Sequence, residues 1–212
     1  MASPRSSVRL YALLARAAPV AVVFRRGPSR QLQLLRWNTD TDTFEPGQWF
    51  KGRIYERRCD LSPSGRRLIY FAATCRKPLY SWTAVSRPPF LAAVALWPKG
   101  DGWGGGGLFA RDSQIRLNHR PGEMRLADGF KLPKHVFVSP YGARPSWGED
   151  APIMGDRLAR DGWALVQQIA KARLPWVQRP AYAILLRVRS AANLGEGIAC
   201  RMDTAHDRAR HP

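Results

Sequence analysis

Hydrophobic residues along the chain come in short runs that are separated by turn-forming residues. Most runs are four to eight residues long and are rich in β-branched and aromatic side chains, which is typical of strands rather than helices. Gly, Pro, Asp, Asn and Ser follow almost every run. The pattern therefore predicts an all-β protein with strands in six runs: Val8–Leu14, Val20–Phe24, Leu32–Trp37, Leu68–Ala72, Phe90–Trp97 and Val136–Val138.

One segment fits this pattern less well. The string WALVQQIAKARL at 163–174 has few turn formers, and its Leu165, Ile169 and Ala172 lie about one helical turn apart. A helix over 157–174, ending before the next proline, and a strand are equal alternatives for this segment.

A turn followed by an apolar strand recurs along the chain. LSPSGRRLIYFA at 61–72 is echoed by FARDSQIRL at 109–117 and by LARDGWALV at 158–166. The central turn pairs, Ser64-Gly65, Asp112-Ser113 and Asp161-Gly162, are 48 and 49 residues apart. A four-stranded propeller blade takes ~40–50 residues, so the spacing indicates a repeat of blade size.

The string at 61–72 resembles the L-S-P-D-G-x-x-L-x-Y hairpin of TolB-type and WD40-like β-propeller repeats, in which the turn joins two inner strands of a blade. The resemblance implies a propeller-like array of about four blade-sized repeats, complete or incomplete, and supports no activity. We expect a single domain over 1–202 and a polar tail over 203–212. A curved sheet that shares its hairpins and chance recurrence of turn plus strand are the alternatives.

The charge of the chain is strongly positive. There are 34 Lys and Arg residues against 16 Asp and Glu, which gives a net charge of +18, and such a field attracts polyanions such as nucleic acid. However, 28 of the basic residues are Arg and only 6 are Lys, as codon usage in a GC-rich genome alone would produce. A functional basic surface and a merely compositional charge therefore stay alternatives.

The first 24 residues contain no acidic residue and are rich in Arg, Ser and Ala, like an organellar transit peptide. Arg16 and Pro19 interrupt the apolar stretch, and we favour two strands there and a cytoplasmic protein, with targeting as the alternative. No run approaches the ~18 apolar residues of a spanning helix, so no membrane span is expected.

The sequence contains no strong motif for catalysis, phosphate binding or metal binding. The run Gly104–Gly107 is followed by neither Lys nor Ser nor Thr, as a phosphate-binding loop would require. His119 and His135 lack metal-ligand spacing, and Cys59 and Cys75 are interpreted as buried free thiols. We therefore expect no catalytic residue, no metal site and no cofactor.

The most distinctive string is GQWFKGRIYERR at 47–58, which mixes aromatic and basic residues. Strand alternation would place Trp49, Lys51, Arg53 and Tyr55 on one face, where they can bind carboxylates or phosphates or stack on bases. The alternative is a strand whose aromatic rings lie in the core beneath arginine stems. The predicted binding residues are Trp49, Lys51, Arg53, Tyr55, Arg57, Arg58, Tyr80 and Trp82.

These features favour a non-catalytic binding or scaffold protein with a protein partner, because propellers present loops and a channel mouth to partners. A nucleic-acid-binding module that uses the Arg-rich surface is the alternative. A third hypothesis is an enzyme with its site at the central channel.

Overall fold

Strands dominate the computed structural model, which describes residues 8–27, 31–142, 152–168 and 183–187. The chain divides into two compact units, residues 1–161 and 162–212. The described part of the first unit contains three sheets and one α-helix, and that of the second contains a two-stranded hairpin. The predicted all-β class is confirmed at this level. The single domain over 1–202 stays a prediction, and the tail over 203–212 lies outside the described residues.

Sheet A is a four-stranded antiparallel meander in which every strand pairs with its neighbour in sequence. Apolar residues such as Leu13, Val22, Phe24 and Leu34 bury one face of this sheet, and the apolar runs of the sequence had predicted its first three strands. Its strands are β1 (Arg9–Leu14), β2 (Val20–Arg26), β3 (Gln31–Asn38) and β4 (Thr43–Lys51).

Sheet B has five strands, and the first two are short and pair with the same edge of the third. Its strands are β5 (Arg53–Ile54), β6 (Asp60–Leu61), β7 (Leu68–Ala73), β8 (Ser81–Ser86) and β9 (Ala93–Pro98). All six residues of β7 are buried, which explains why its sequence is continuously apolar.

Sheet C contains β10 (Gly107–Arg111), β11 (Gln114–Leu117) and β12 (Phe137–Pro140). β10 and β11 form an antiparallel hairpin, whereas β12 runs parallel to β11. The helix α1 (Ile153–Arg160) follows in sequence. In the second unit β13 (Trp163–Gln168) pairs antiparallel with β14 (Ala183–Arg187).

Sheet B lies between sheets A and C. One core cluster joins Phe24 and Leu34 of sheet A to Leu68 and Tyr70 of β7. A second cluster joins Ile69 of β7 to residues of sheet C. Because successive side chains of a strand point to opposite faces, β7 contributes to both clusters. The three sheets therefore pack face to face in chain order.

The hairpin turns between the first two paired strands of each sheet lie together. The Ala17 amide in the β1–β2 turn donates to the Pro63 carbonyl in the β6–β7 turn at 2.9 Å. The Ser64 hydroxyl in that second turn donates to Asp112 Oδ1 in the β10–β11 turn at 2.6 Å. Ser64 lies in the turn between β6 and β7, and Asp112 lies in the turn between β10 and β11 of the neighbouring sheet.

Two arginines of helix α1 bind residues near these three turns. Arg157 donates to the Cys59 carbonyl and to the Tyr11 hydroxyl. Arg160 donates to both carboxylate oxygens of Asp60, at 2.7 and 3.0 Å. Burial raises the pKa of Asp60, and hydrogen bonds from Arg160 and from the Phe109 amide oppose that rise. The helix is thereby tied to β1 of sheet A and β6 of sheet B, and Arg160 also donates to the Phe109 carbonyl of β10 in sheet C at 3.1 Å.

The segment 157–174 contains both predicted alternatives in part: α1 ends at Arg160 and a strand begins at Trp163, while 169–174 lie outside the described residues. Two other sequence predictions need correction. The third repeat is a helix, a turn and a strand rather than a hairpin, with Gly162 at φ +81° after the helix. The predicted strand at Phe90 begins only at Ala93. No closed ring of sheets is formed by the described strands.

Candidate binding surface

The string at 47–58 does not form one strand. β4 ends at Lys51 and β5 begins at Arg53 in a different sheet, so the predicted alternation is broken at Gly52. A Cβ at Gly52 would lie 2.6 Å from the Phe50 ring, which shows how closely the chain turns there. As a result, Trp49 and Lys51 belong to sheet A, whereas Arg53 belongs to sheet B.

The second half of the string forms a stack of cationic and aromatic groups. The Arg53 guanidinium lies 4.4 Å from the Tyr55 ring centroid, and the Arg58 guanidinium lies 4.7 Å from it. The Tyr55 ring also contacts Phe71 of β7, with 5.1 Å between the centroids. Arg53 and Arg57 are exposed, and Tyr55 is half-buried. These three residues lie in one five-residue segment of the chain, hereafter the arginine–tyrosine surface (Arg53, Tyr55 and Arg57).

Arg58 is buried and does not lie on the exposed face that the sequence predicted. Its guanidinium donates to the Gly102 carbonyl at 2.8 Å and to the Gly104 carbonyl, and it stacks on Phe71. The glycine run makes this approach possible, since a Cβ at Gly106 would lie 2.0 Å from the Arg58 carbonyl oxygen. Arg58 therefore anchors the arginine–tyrosine surface from below. In the sequence, only the unusual glycine run indicated that another part of the chain approaches closely there.

A salt bridge lies beside the surface. Arg26 of β2 donates to Glu56 at 2.7 Å and also to the Ile54 carbonyl at 2.7 Å. Both side chains are partly exposed, so the pair is expected to add less than ~1 kcal/mol to stability. Its structural effect is to fix the short 3-10 helix Glu56–Arg58, which carries Arg57.

The remaining predicted residues lie across β7 from the surface. Ala72 pairs with Ile54 of β5 on one side and with Trp82 of β8 on the other, so Trp82 lies about 10 Å from β5. Trp82 packs edge-on against Phe50, with 6.0 Å between the ring centroids. Tyr80 is exposed in the turn before β8. The structure thus does not bring Tyr80 and Trp82 to the arginine–tyrosine surface.

His119 lies in a buried polar cluster rather than at an open site. Its Nδ1 donates to the Glu123 carbonyl at 3.1 Å, and its Nε2 accepts from the Thr83 hydroxyl at 2.8 Å, which assigns the Nδ1–H tautomer. Burial lowers the pKa of His119 to about 4. Lys99 pairs with Asp101 and Glu123 close by. Each of these groups is satisfied by a neighbour, which is the arrangement of a structural cluster.

No protein-family model, no curated protein and no solved structure matches this chain. Within the described ranges, no group of three His, Cys, Asp or Glu side chains is placed to hold a metal ion. The described helices are too short and too polar for any of them to cross a membrane. The proposed function therefore rests on the geometry of the described residues.

Proposed function

We propose that this protein is a non-catalytic binding or scaffold protein that holds a carboxylate-rich segment of a protein partner on its arginine–tyrosine surface. The observation that carries the proposal is the position of the Arg53 guanidinium, 4.4 Å from the Tyr55 ring. A guanidinium whose face lies on a ring directs its N–H groups along its edge, where a carboxylate can accept them. Arg57 adds a second exposed cation in the same segment.

Preorganisation supports this proposal. Arg58 holds the segment from the protein interior, and the Tyr55 amide donates to the Phe71 carbonyl of β7 at 3.0 Å. A binding group that is already held in place loses less conformational entropy when the partner arrives. The surface therefore meets the requirement that a site be supported by rigid elements.

We further propose that the scaffold is a propeller-like array. Two observations support this architecture: sheets A, B and C pack face to face in chain order, and the turns between their first paired strands converge. In a propeller each blade packs on the next around a central axis. The resemblance of the string at 61–72 to propeller repeats agrees with this arrangement.

The proposal is tested by titrating the protein with a decaglutamate peptide. Replacing Arg53 and Arg57 together by Gln should weaken binding about two- to thirty-fold, since exposed charge pairs contribute about 0.2–1 kcal/mol each. Replacing Arg87 and Arg111, which are also exposed, removes the same charge elsewhere and should change little. Arg53→Lys keeps the charge but loses the planar stack, and it should also weaken binding. Equal losses from both double variants would reject the proposal.

Nucleic-acid binding is the second candidate, because the same stack of Arg53 on Tyr55 suits unpaired bases and phosphates. Titration with oligothymidylate at several salt concentrations separates the two candidates. If nucleic acid is the ligand, the Arg53→Gln/Arg57→Gln variant should have a log–log salt slope that is shallower by about one to two. Weak binding that the Arg87→Gln/Arg111→Gln control alters equally would eliminate this candidate.

A further inference from the structure

Sheet A buries one face against sheet B and leaves apolar side chains on the other. Leu10, Leu14, Phe44 and Trp49 of this second face are 68%, 54%, 52% and 47% exposed. Trp37 stacks on Phe44, with 5.5 Å between the ring centroids. Alternation along the strands places six large apolar residues with exposed or partly exposed side chains on this surface, hereafter the open face: Leu10, Leu14, Leu35, Trp37, Phe44 and Trp49.

The two ends of the open face carry opposite charges. At one end lie Arg25, whose guanidinium is 5.7 Å from the Trp49 ring centroid, and Lys51, the last residue of β4. At the other end lies the β3–β4 turn, which carries Asp40 and Asp42. The strand register fixes this division, since Gln31 pairs with Lys51 and Asn38 with Thr43 at opposite ends of β3.

From this arrangement we infer that the open face docks against the open face of a second copy of this chain. The two-fold axis lies in the interface and runs across the strands, so that β4 of one copy faces β4 of the other in the reverse direction. Lys51 of each copy then lies at the end where the other copy presents Asp40 and Asp42. Both the apolar centres and the charged ends are complementary in this orientation. The inference is independent of the proposed function.

The area of the open face limits the strength of the dimer. Four strands ~4.8 Å apart and about six residues long at ~3.3 Å each present about 400 Å² of sheet surface. Two such faces bury about 800 Å², which is below the ~1,200–2,000 Å² of stable specific interfaces. The dimer is therefore weak and reversible, with a dissociation constant in the micromolar range.

The net charge of +18 on each copy opposes association, whereas the opposed ends favour it. Screening decides between the two effects, because charges further apart than ~8 Å interact little at physiological ionic strength. The pairs at the two ends act at contact distance, and most of the remaining charge does not. Local complementarity therefore governs how charge changes at the ends affect the dimer.

Sedimentation equilibrium of the full chain over a range of concentrations tests the inference. The protein should show a monomer–dimer equilibrium, and Leu10→Asp should abolish it by placing a carboxylate among the apolar residues of the open face. Phe137→Asp on sheet C is the matched control, since Phe137 is 71% exposed and outside the open face. A monomer at all concentrations up to about 500 µM would overturn the inference. A dimer that Phe137→Asp disrupts and Leu10→Asp does not would also overturn it.

A charge exchange tests the orientation without altering the apolar residues. Lys51→Glu lowers the net positive charge, so a dimer limited by overall repulsion would become stronger. The proposed interface instead predicts at least tenfold weaker association, because the introduced carboxylate would meet Asp40 and Asp42 of the other copy. Adding Asp40→Lys restores the net charge and should return the dissociation constant to within about threefold of the original. Stronger association of Lys51→Glu, or no recovery in the double variant, would refute the proposed dimer.

Discussion

Protonation of His119 should make the stability of the protein depend on pH in a defined window. The imidazole is buried and neutral, with its Nε2 accepting from Thr83. Burial lowers the pKa of His119 to about 4, whereas an unfolded histidine titrates at about 6.5. The unfolded state therefore binds more protons between these values. The contribution of His119 to stability is fully present above pH ~6.5 and is lost as the pH falls towards 4.

The expected magnitude follows from the two pKa values. Between pH ~7.5 and ~4.5, linkage to a pKa of about 4 in the folded state removes about 2.5 kcal/mol from the free energy of unfolding. Lys99, Asp101 and Glu123 surround the ring and contribute to its pKa, so this figure applies to the intact cluster. Other carboxyl groups also titrate in this range, so a difference measurement is needed to isolate His119.

Urea unfolding of the wild-type protein and of His119→Gln at both pH values provides that difference. Gln can donate to the Glu123 carbonyl and accept from Thr83, yet it cannot be protonated. The free energy of unfolding should therefore fall by about 2.5 kcal/mol less in the variant than in the wild type. If both proteins lose the same stability between the two pH values, His119 is not held as a buried neutral imidazole.

Three further substitutions test the packing by urea unfolding. Leu68→Ala should cost ~2–5 kcal/mol as a cavity between sheets A and B, and a negligible loss would show that β7 is peripheral. Gly106→Ala should lower the free energy of unfolding clearly more than Gly100→Ala does. Both glycines have positive φ (+76° and +80°), but only at Gly106 would the added Cβ meet the Arg58 carbonyl. Equal costs would contradict that close approach. Arg160→Met should cost ~3–5 kcal/mol because it leaves Asp60 buried without its cation, and a loss below ~1 kcal/mol would show that Asp60 is solvated.

Local patterns in the sequence predicted most of the strands. The short apolar runs of β2 and β7 identified both segments as strands, and burial between two sheets explains why β7 has no polar positions. Leu61, Leu68, Tyr70 and Leu96 lie in the core, whereas Val94 is only partly buried. An apolar pattern that predicts a strand is formed by residues close together in the chain, so it can be recognised from the sequence alone.

The candidate site depends on contacts that no local pattern encodes. Arg58 is buried because the Gly102 and Gly104 carbonyls accept from it, 44 and 46 residues further along the chain. The break at Gly52 could not be distinguished from a glycine within a continuous strand. Long-range contacts therefore decided where the predicted residues lie: Trp49 and Lys51 belong to sheet A, Tyr80 and Trp82 lie across β7, and Arg53 stacks on Tyr55.

The direct test of the proposed binding function is to locate a bound acidic peptide on the protein. Hydrogen–deuterium exchange with and without saturating decaglutamate reports protection along the whole backbone. We predict that protection is concentrated in residues 53–58, the segment that contains Arg53, Tyr55 and Arg57, and that it disappears in the Arg53→Gln/Arg57→Gln variant. Small, even changes at every arginine-rich segment, unaffected by that variant, would show that the peptide follows net charge and would contradict the proposed site.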